Sequence, residues 1–164
     1  MMERVTVSAE MTRALGARLG AELVTDDVIV LIGDLGSGKT VLAQGIARGL
    51  DIHAPVVSPT FTIAQEYDGR LHLNHLDVYR LDRVQEAIDL GLDELFEGSV
   101  TLVEWGDGVR DLLPVDRLEI TLELLPPDEA DDDVRRITFV PFGTWRDRAR
   151  ALDAIAGDAN GIAR

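Results

Sequence analysis

Residues 4–7 alternate polar and apolar positions as a short strand does. Ser8 follows as a helix N-cap, and Met11, Leu15, Leu19 and Leu23 recur every four residues, which predicts an amphipathic first helix with one apolar stripe. After Asp26 and Asp27 the pattern changes. Val28-Ile29-Val30-Leu31-Ile32 is unbroken and apolar, as expected of a strand buried on both faces of a largely parallel sheet. A glycine-rich turn comes next, then helical spacing over 41–50 with Gly49 near its end, so this unit reads strand, loop, helix.

The middle of the chain shifts to period two. Segments 61–67 and 70–75 flank Asp68-Gly69, the signal for a two-residue type I′ hairpin, so the sheet should be mixed. Residues 84–95 have helical spacing interrupted by Gly91, and 100–103 form a short apolar strand stopping at Glu104. A helical turn over 109–113 ends at Pro114. Two alternating strands, 118–125 and 134–140, are separated by Pro126-Pro127 and the acidic run 128–133, which reads as a solvated loop. Residues 145–155 suit a last helix, and 157–164 are small and polar enough to fray. No repeat or long linker divides the chain, so one α/β domain over 1–156 is expected.

With 164 residues, a core can form without staples, and none is available because the chain has no Cys. That excludes a disulfide framework and thiolate metal sites. The N-terminal 30 residues mix charges with short apolar runs, giving neither a signal-peptide core nor a membrane span; a soluble cytoplasmic protein is expected. The net charge of −14 repels phosphate backbones and anionic lipid, so any RNA involvement requires a partner to hold the RNA. The basic residues are lopsided: of 16, only Lys39 is a lysine.

That lysine lies in Gly33-Asp34-Leu35-Gly36-Ser37-Gly38-Lys39-Thr40, which fits GxxxxGK[ST] between a predicted strand and helix. From the chain's own composition, the lone lysine would acquire both glycines and the following hydroxyl with a chance of only about 0.0007. Glycines at 33, 36 and 38 let backbone N–H groups approach an anion, and the helix N-terminus adds partial positive charge. Loop residues 33–38, together with Lys39, Thr40 and Val41, are the candidate nucleotide contacts. Lys39 should reach the β and γ phosphates and the Thr40 hydroxyl should ligate Mg²⁺.

Such a site needs a carboxylate at the end of a neighbouring strand. Glu104 is one candidate, for a metal or water role. Asp77 is another, because Leu71, Leu73, His75 and Asp77 share one face at spacings of two. Their bland alternatives are a solvated strand end and a turn cap. His72 and His75 fall on opposite faces and cannot chelate together, which leaves His75 as a hydrogen-bonded core or rim residue; His53 sits in a loop. Ser58-Pro59-Thr60-Phe61-Thr62 follows the loop helix, where a hydroxyl-bearing segment could sense a γ phosphate or simply turn into a strand. Trp105 would adjoin the nucleotide if Glu104 does, or be an aromatic at a sheet edge.

Together GDLGSGKT at 33–40, SPTFTI at 58–63, HLDVYRL at 75–81 and VEWGD at 103–107 resemble the TsaE (YjeE) family, the ATPase component of bacterial tRNA threonylcarbamoyladenosine biosynthesis. The resemblance implies a P-loop NTPase-like three-layer fold with a mixed central sheet containing an antiparallel hairpin. It also implies an ATPase using ATP/ADP and Mg²⁺ that resets a complex of threonylcarbamoyl transferase and its inactive paralogue, meets tRNA only through that complex, and involves no membrane. By the same resemblance, Thr40 and Glu104 match the Mg²⁺ site, Lys39 the phosphate lysine, Thr60 a switch threonine, Asp77 an essential aspartate and Trp105 a tryptophan beside the nucleotide. Glu10 and Thr12 would flank the adenine, with Arg135 or Arg136 assisting. A GTPase is disfavoured, since the guanine-reading NKxD block needs a second lysine. A small-molecule kinase and a non-hydrolysing nucleotide sensor remain as alternatives.

Overall fold

The computed structural model describes residues 1–58, 64–78, 92–105, 110–125 and 133–157. Along the chain run β1 (Met2–Thr6), α1 (Ala9–Glu22), β2 (Val28–Ile32), α2 (Lys39–Gly49), β3 (Ala64–Asp68) and β4 (His72–Asp77). There follow α3 (Leu92–Phe96), β5 (Val100–Glu104), β6 (Leu118–Leu124), β7 (Arg135–Pro141), a 3₁₀ helix (Gly143–Arg148) and α4 (Ala149–Gly157). The strands form one seven-stranded sheet in the order β1-β7-β6-β2-β5-β4-β3. Strand β2 lies at its centre, parallel to β5 and β6, and β4 is parallel to β5. The pairs β1/β7, β6/β7 and β3/β4 are antiparallel, so the sheet is mixed as the hairpin predicted.

The unbroken apolar run of β2 has the cause inferred from its pattern. Ile29 and Leu31 pack in the core built with α1, α2 and α4, while Val28 and Val30 join Leu76, Val103, Phe96 and Leu113 on the opposite face. Side chains alternate across a strand, so a central strand covered on both sides needs apolar residues at every position.

Helix α1 starts where expected, with the Ser8 side chain accepting from the Met11 amide at 3.1 Å. Its buried stripe, however, is Thr12, Leu15, Gly16, Leu19 and Gly20; Met11 is only half-buried. The glycines explain the rotation. A Cβ on Gly16 would lie 2.5 Å from the Leu42 carbonyl oxygen, and one on Gly49 would lie 2.7 Å from the Ala21 amide nitrogen. Helices α1 and α2 therefore touch backbone to backbone along Gly16/Gly20 and Gly45/Gly49. Gly49, which reads as a helix stop, belongs to this contact.

The last turn of α1 contains no basic residue, and distant arginines supply the missing donors. Arg70 donates to the carbonyls of Gly20, Ala21 and Leu23 at 2.7, 2.9 and 2.9 Å. Arg148 donates to Glu22 O at 2.8 Å while holding both Asp27 oxygens at 2.7 and 2.9 Å.

The hairpin turn differs from expectation. Asp68 pairs with His72, leaving 69–71 as a three-residue connection. Neither Asp68 nor Gly69 has the positive φ that a type I′ turn requires. The turn instead docks on the end of α2: the Arg70 amide donates to Leu50 O at 2.8 Å, and a Cβ on Gly69 would collide with that same oxygen. Among the other expectations, 145–155 divides into a 3₁₀ helix followed by α4, and 110–112 make a single 3₁₀ turn before Pro114. Residues 84–91 of the predicted middle helix, most of the acidic run and 158–164 lie outside the described residues.

Candidate functional site

Between Ile32 and Lys39 the chain turns through Gly33, Gly36 and Gly38 at φ values of 150, 82 and 103°. Gly38 is the N-cap of α2 and offers no side chain to the helix, so the first-turn amides keep their donors available at the loop. Its left-handed backbone is also crowded: a Cβ there would lie 2.7 Å from Arg135 Nε. The Lys39 side chain folds back into the loop. Its ammonium donates to Gly33 O at 2.7 Å and Asp34 O at 2.8 Å, and sits 3.7 Å from the centroid of the Trp105 ring. Trp105 itself adopts φ 63°, uncommon for a residue with a Cβ, and its amide is anchored to Leu31 O at 2.9 Å.

Parallel pairing brings the carboxylates to this loop. Glu104 is in register with Leu31 on one side and with Asp77 on the other, so two adjacent strands end in acidic residues beside the strand that feeds the loop. Glu104 shares the face of Val100 and Leu102, and Asp77 that of Leu73 and His75; both faces look toward α2. Glu104 is 1% exposed. The carboxylate accepts from His75 Nε2 at 2.9 Å, and Ser58 Oγ donates to it at 3.3 Å from each oxygen. Since that uses the only Ser58 proton, the Thr40 hydroxyl donates to Ser58 Oγ across 2.8 Å. A continuous polar chain thus runs Thr40, Ser58, Glu104, His75.

A cavity of about 430 Å³ gathers Lys39, Thr40, Val41, Asp77, Glu104 and Trp105 at one mouth, with Leu35, Gly36 and Gly38 on the loop side. Ser58 and Arg135 complete its wall. The remaining predicted loop residues, Gly33, Asp34 and Ser37, border a second hollow of about 490 Å³ that reaches the end of β6 at Thr121 to Leu124. Leu35 borders both.

Several expectations are resolved differently. Thr12 has no exposed surface and bonds Thr6 Oγ1 at 2.7 Å, so it has nothing to offer a base. Glu10 is exposed and paired with Arg13 at 2.6 Å. Of the two arginines at the sheet end, Arg135 enters the site: Nε donates to Ser37 O at 3.1 Å, and the guanidinium is held by Asp133. His72 and His75 do diverge, His72 toward Asp68 at 2.7 Å and His75 into the core. His53 is exposed and does not line the cavity. Thr60, Arg80 and residues 106 and 107 lie outside the described residues.

Sequence reasoning undervalued Ser58 and His75. The period-two pattern did place His75 on the face of Asp77, but only the adjacency of β4 and β5 puts it next to Glu104. Among the described residues, no group of three or more His, Cys, Asp or Glu side chains could hold a metal ion, and no helix is long and apolar enough to cross a membrane.

A buried parallel strand, a glycine-rich loop opening a helix, and an acidic end on the adjacent strand define a P-loop NTPase-like α/β protein. The family model described as "Threonylcarbamoyl adenosine biosynthesis protein TsaE" matches residues 6–132. The tRNA threonylcarbamoyladenosine biosynthesis protein TsaE of Bacillus subtilis (strain 168) is 47% identical over 140 residues, 84% of each chain. The protein of that name from Mycobacterium leprae (strain TN) is 44% identical over 147 residues, 84% of this chain and 85% of the other. A crystal structure of Bacillus subtilis YdiB superposes with a TM-score of 0.79 at 38% identity, covering 97% of this chain and 96% of that one. The chain belongs to the TsaE family.

Proposed function

We propose that this protein binds ATP and ADP with Mg²⁺, hydrolyses ATP, and drives repeated rounds of tRNA threonylcarbamoyladenosine formation by resetting a complex of the threonylcarbamoyl transferase and its inactive paralogue. It works in the cytoplasm and meets tRNA through that complex. The observation that carries the reading is the convergence of Lys39, Thr40, Asp77 and Glu104 on one cavity at the N-terminus of α2.

The donor set fits Mg²⁺. Magnesium takes hard oxygen donors, often one or two carboxylates together with substrate phosphates, and keeps several waters. The Thr40 hydroxyl and the Glu104 carboxylate, joined through Ser58, are such donors, so a cluster of three acidic or His side chains is not required. When bound, the ion neutralises charge on the β and γ phosphates. The protein's own groups do the rest. Loop amides and the start of α2 hold phosphate oxygens, and Lys39 exchanges one loop carbonyl and the Trp105 ring for the β and γ groups. Asp77, half-buried at the end of β4, orients the attacking water and accepts its proton. In a protein of net charge −14, that local field has to hold the anion against a repulsive background.

Hydrolysis by the isolated protein should be slow. An arginine finger contributes roughly 10³- to 10⁵-fold in P-loop enzymes. Arg135 lines the cavity but is occupied by Ser37 O and Asp133. The test is phosphate release alone and with the two partner proteins, scored beside modification of tRNA in molar excess. Slow release that the partners accelerate, with several modifications per complex, is the expected result. Release coupled to a small acceptor, or fast release indifferent to the partners, would overturn the proposal.

A further inference from the structure

We infer that His75 is a positioning residue for the metal site: its buried Nε2–H holds the Glu104 carboxylate in the orientation in which it lines the cavity beside Ser58 and Thr40. The inference rests on the nucleotide-binding reading above and goes beyond it.

The geometry is specific. Glu104 and His75 are 1% and 0% exposed, so the bond between them is shielded from bulk solvent. An ionised carboxylate only accepts, so Nε2 carries the proton of the 2.9 Å bond to Oε1. Nδ1 has no partner, which leaves the Glu104 bond as the one hydrogen bond this imidazole makes among the described residues. Its backbone is held independently, by β4 pairing with Gln65 on one side and Leu102 on the other. The ring therefore has one polar task. On the cavity side, Ser58 Oγ is 3.3 Å from both Glu104 oxygens, too long and too evenly shared to choose between them. The choice is made from behind, by His75.

Orientation matters here because Asp77, in register with Glu104 on the next strand, also lines the cavity. A buried carboxylate freed from its anchor beside a second acidic residue would swing or tilt away from it. Hydrogen-bonded partners of metal-ligating groups fix such ligands, and their removal typically costs about 10- to 100-fold in metal affinity.

The experiment compares ADP affinity by calorimetry in Mg²⁺ and in EDTA, using the full chain and three variants. His75→Leu removes the donor, His75→Asn is too short to reach Glu104, and His75→Gln places an amide N–H near the position of Nε2. Wild type should bind ADP more tightly in Mg²⁺. Leu and Asn variants should lose about 10- to 100-fold in apparent Mg²⁺ affinity while keeping EDTA affinity within about twofold, and Gln should restore most of the loss. In labelled wild type, the His75 Nε2 NMR resonance should move with ADP plus Mg²⁺ and stay in place with ADP in EDTA; this readout needs no variant to fold. Equal Mg²⁺ gain in wild type and the Leu variant would overturn the inference, as would parallel loss in both buffers for all variants, which marks a merely structural role. A wild type that binds ADP with no Mg²⁺ gain would remove the metal-site reading itself and the inference with it.

Discussion

Replacing Lys39 by alanine separates a phosphate cradle from a glycine-rich connection. In the structure Lys39 is 5% exposed, and its ammonium donates to Gly33 O and Asp34 O, at 2.7 and 2.8 Å, beside the Trp105 ring. Two charge-assisted hydrogen bonds to β and γ phosphate oxygens contribute about 3–6 kcal/mol. Binding gives up one carbonyl bond and the ring contact, together about 2 kcal/mol. The difference centres near 2.5 kcal/mol, so Lys39→Ala should weaken binding of a non-hydrolysable ATP analogue with Mg²⁺ by about 60-fold. Arginine should not rescue it, because a planar guanidinium does not fit where a compact ammonium is enclosed by two carbonyls and an indole. Calorimetry in Mg²⁺ measures the affinity, and a thermal melt of the same sample checks the fold. A folded Lys39→Ala protein binding within threefold of wild type would refute the reasoning, since the other cation of the cavity among the described residues, Arg135, is held by Ser37 O and Asp133.

Two further outcomes test other parts of the account. Gly20→Ala would drive a Cβ into the Ile46 carbonyl and to 3.0 Å from Gly49 Cα, both backbone atoms that cannot rotate aside. Overpacking of this kind costs about 2 kcal/mol and should lower Tm by about 4–8 °C; an unchanged melt would show that α1 and α2 are not held at backbone contact. In a Trp145→Phe background, saturating ADP should perturb Trp105 emission, because the ammonium 3.7 Å from the ring centroid shifts onto phosphate. Unaltered emission at saturation would contradict the placement of Trp105 beside the phosphates.

Much of the site is local and therefore legible in the chain. The loop is contiguous, its glycines need positive φ for reasons any short peptide shares, and Ser8 caps α1 within three residues of itself. Glu104 and Asp77 were found because strands end in chemistry at their carboxyl edges, and parallel pairing places those edges together. The Asp68-Gly69 turn departs from its local signal for the opposite reason: its geometry answers to the carbonyl of Leu50, the C-cap of α2, a partner that local preference does not include. Apolar spacing alone puts Met11 in the buried stripe, whereas Gly16 and Gly20, having no side chains, permit the closest approach and so define the contact face.

What the amino-acid order determined by itself was the set of elements whose causes lie within a few residues: the both-sided apolar strand, the amphipathic helix, the anion-binding loop and the strand-end acids. Tertiary structure alone decided which of them became neighbours. The order β2-β5-β4 places His75 against Glu104, while packing of the remaining elements sets Ser58 between Glu104 and Thr40, brings Arg135 of β7 to the loop, and buries Thr12 of α1 against Thr6. The physical reason is distance along the chain. Hydrogen bonds spanning 29, 46 or 98 residues leave no periodicity to read, and they exist only once the hydrophobic faces have stacked the strands in one order.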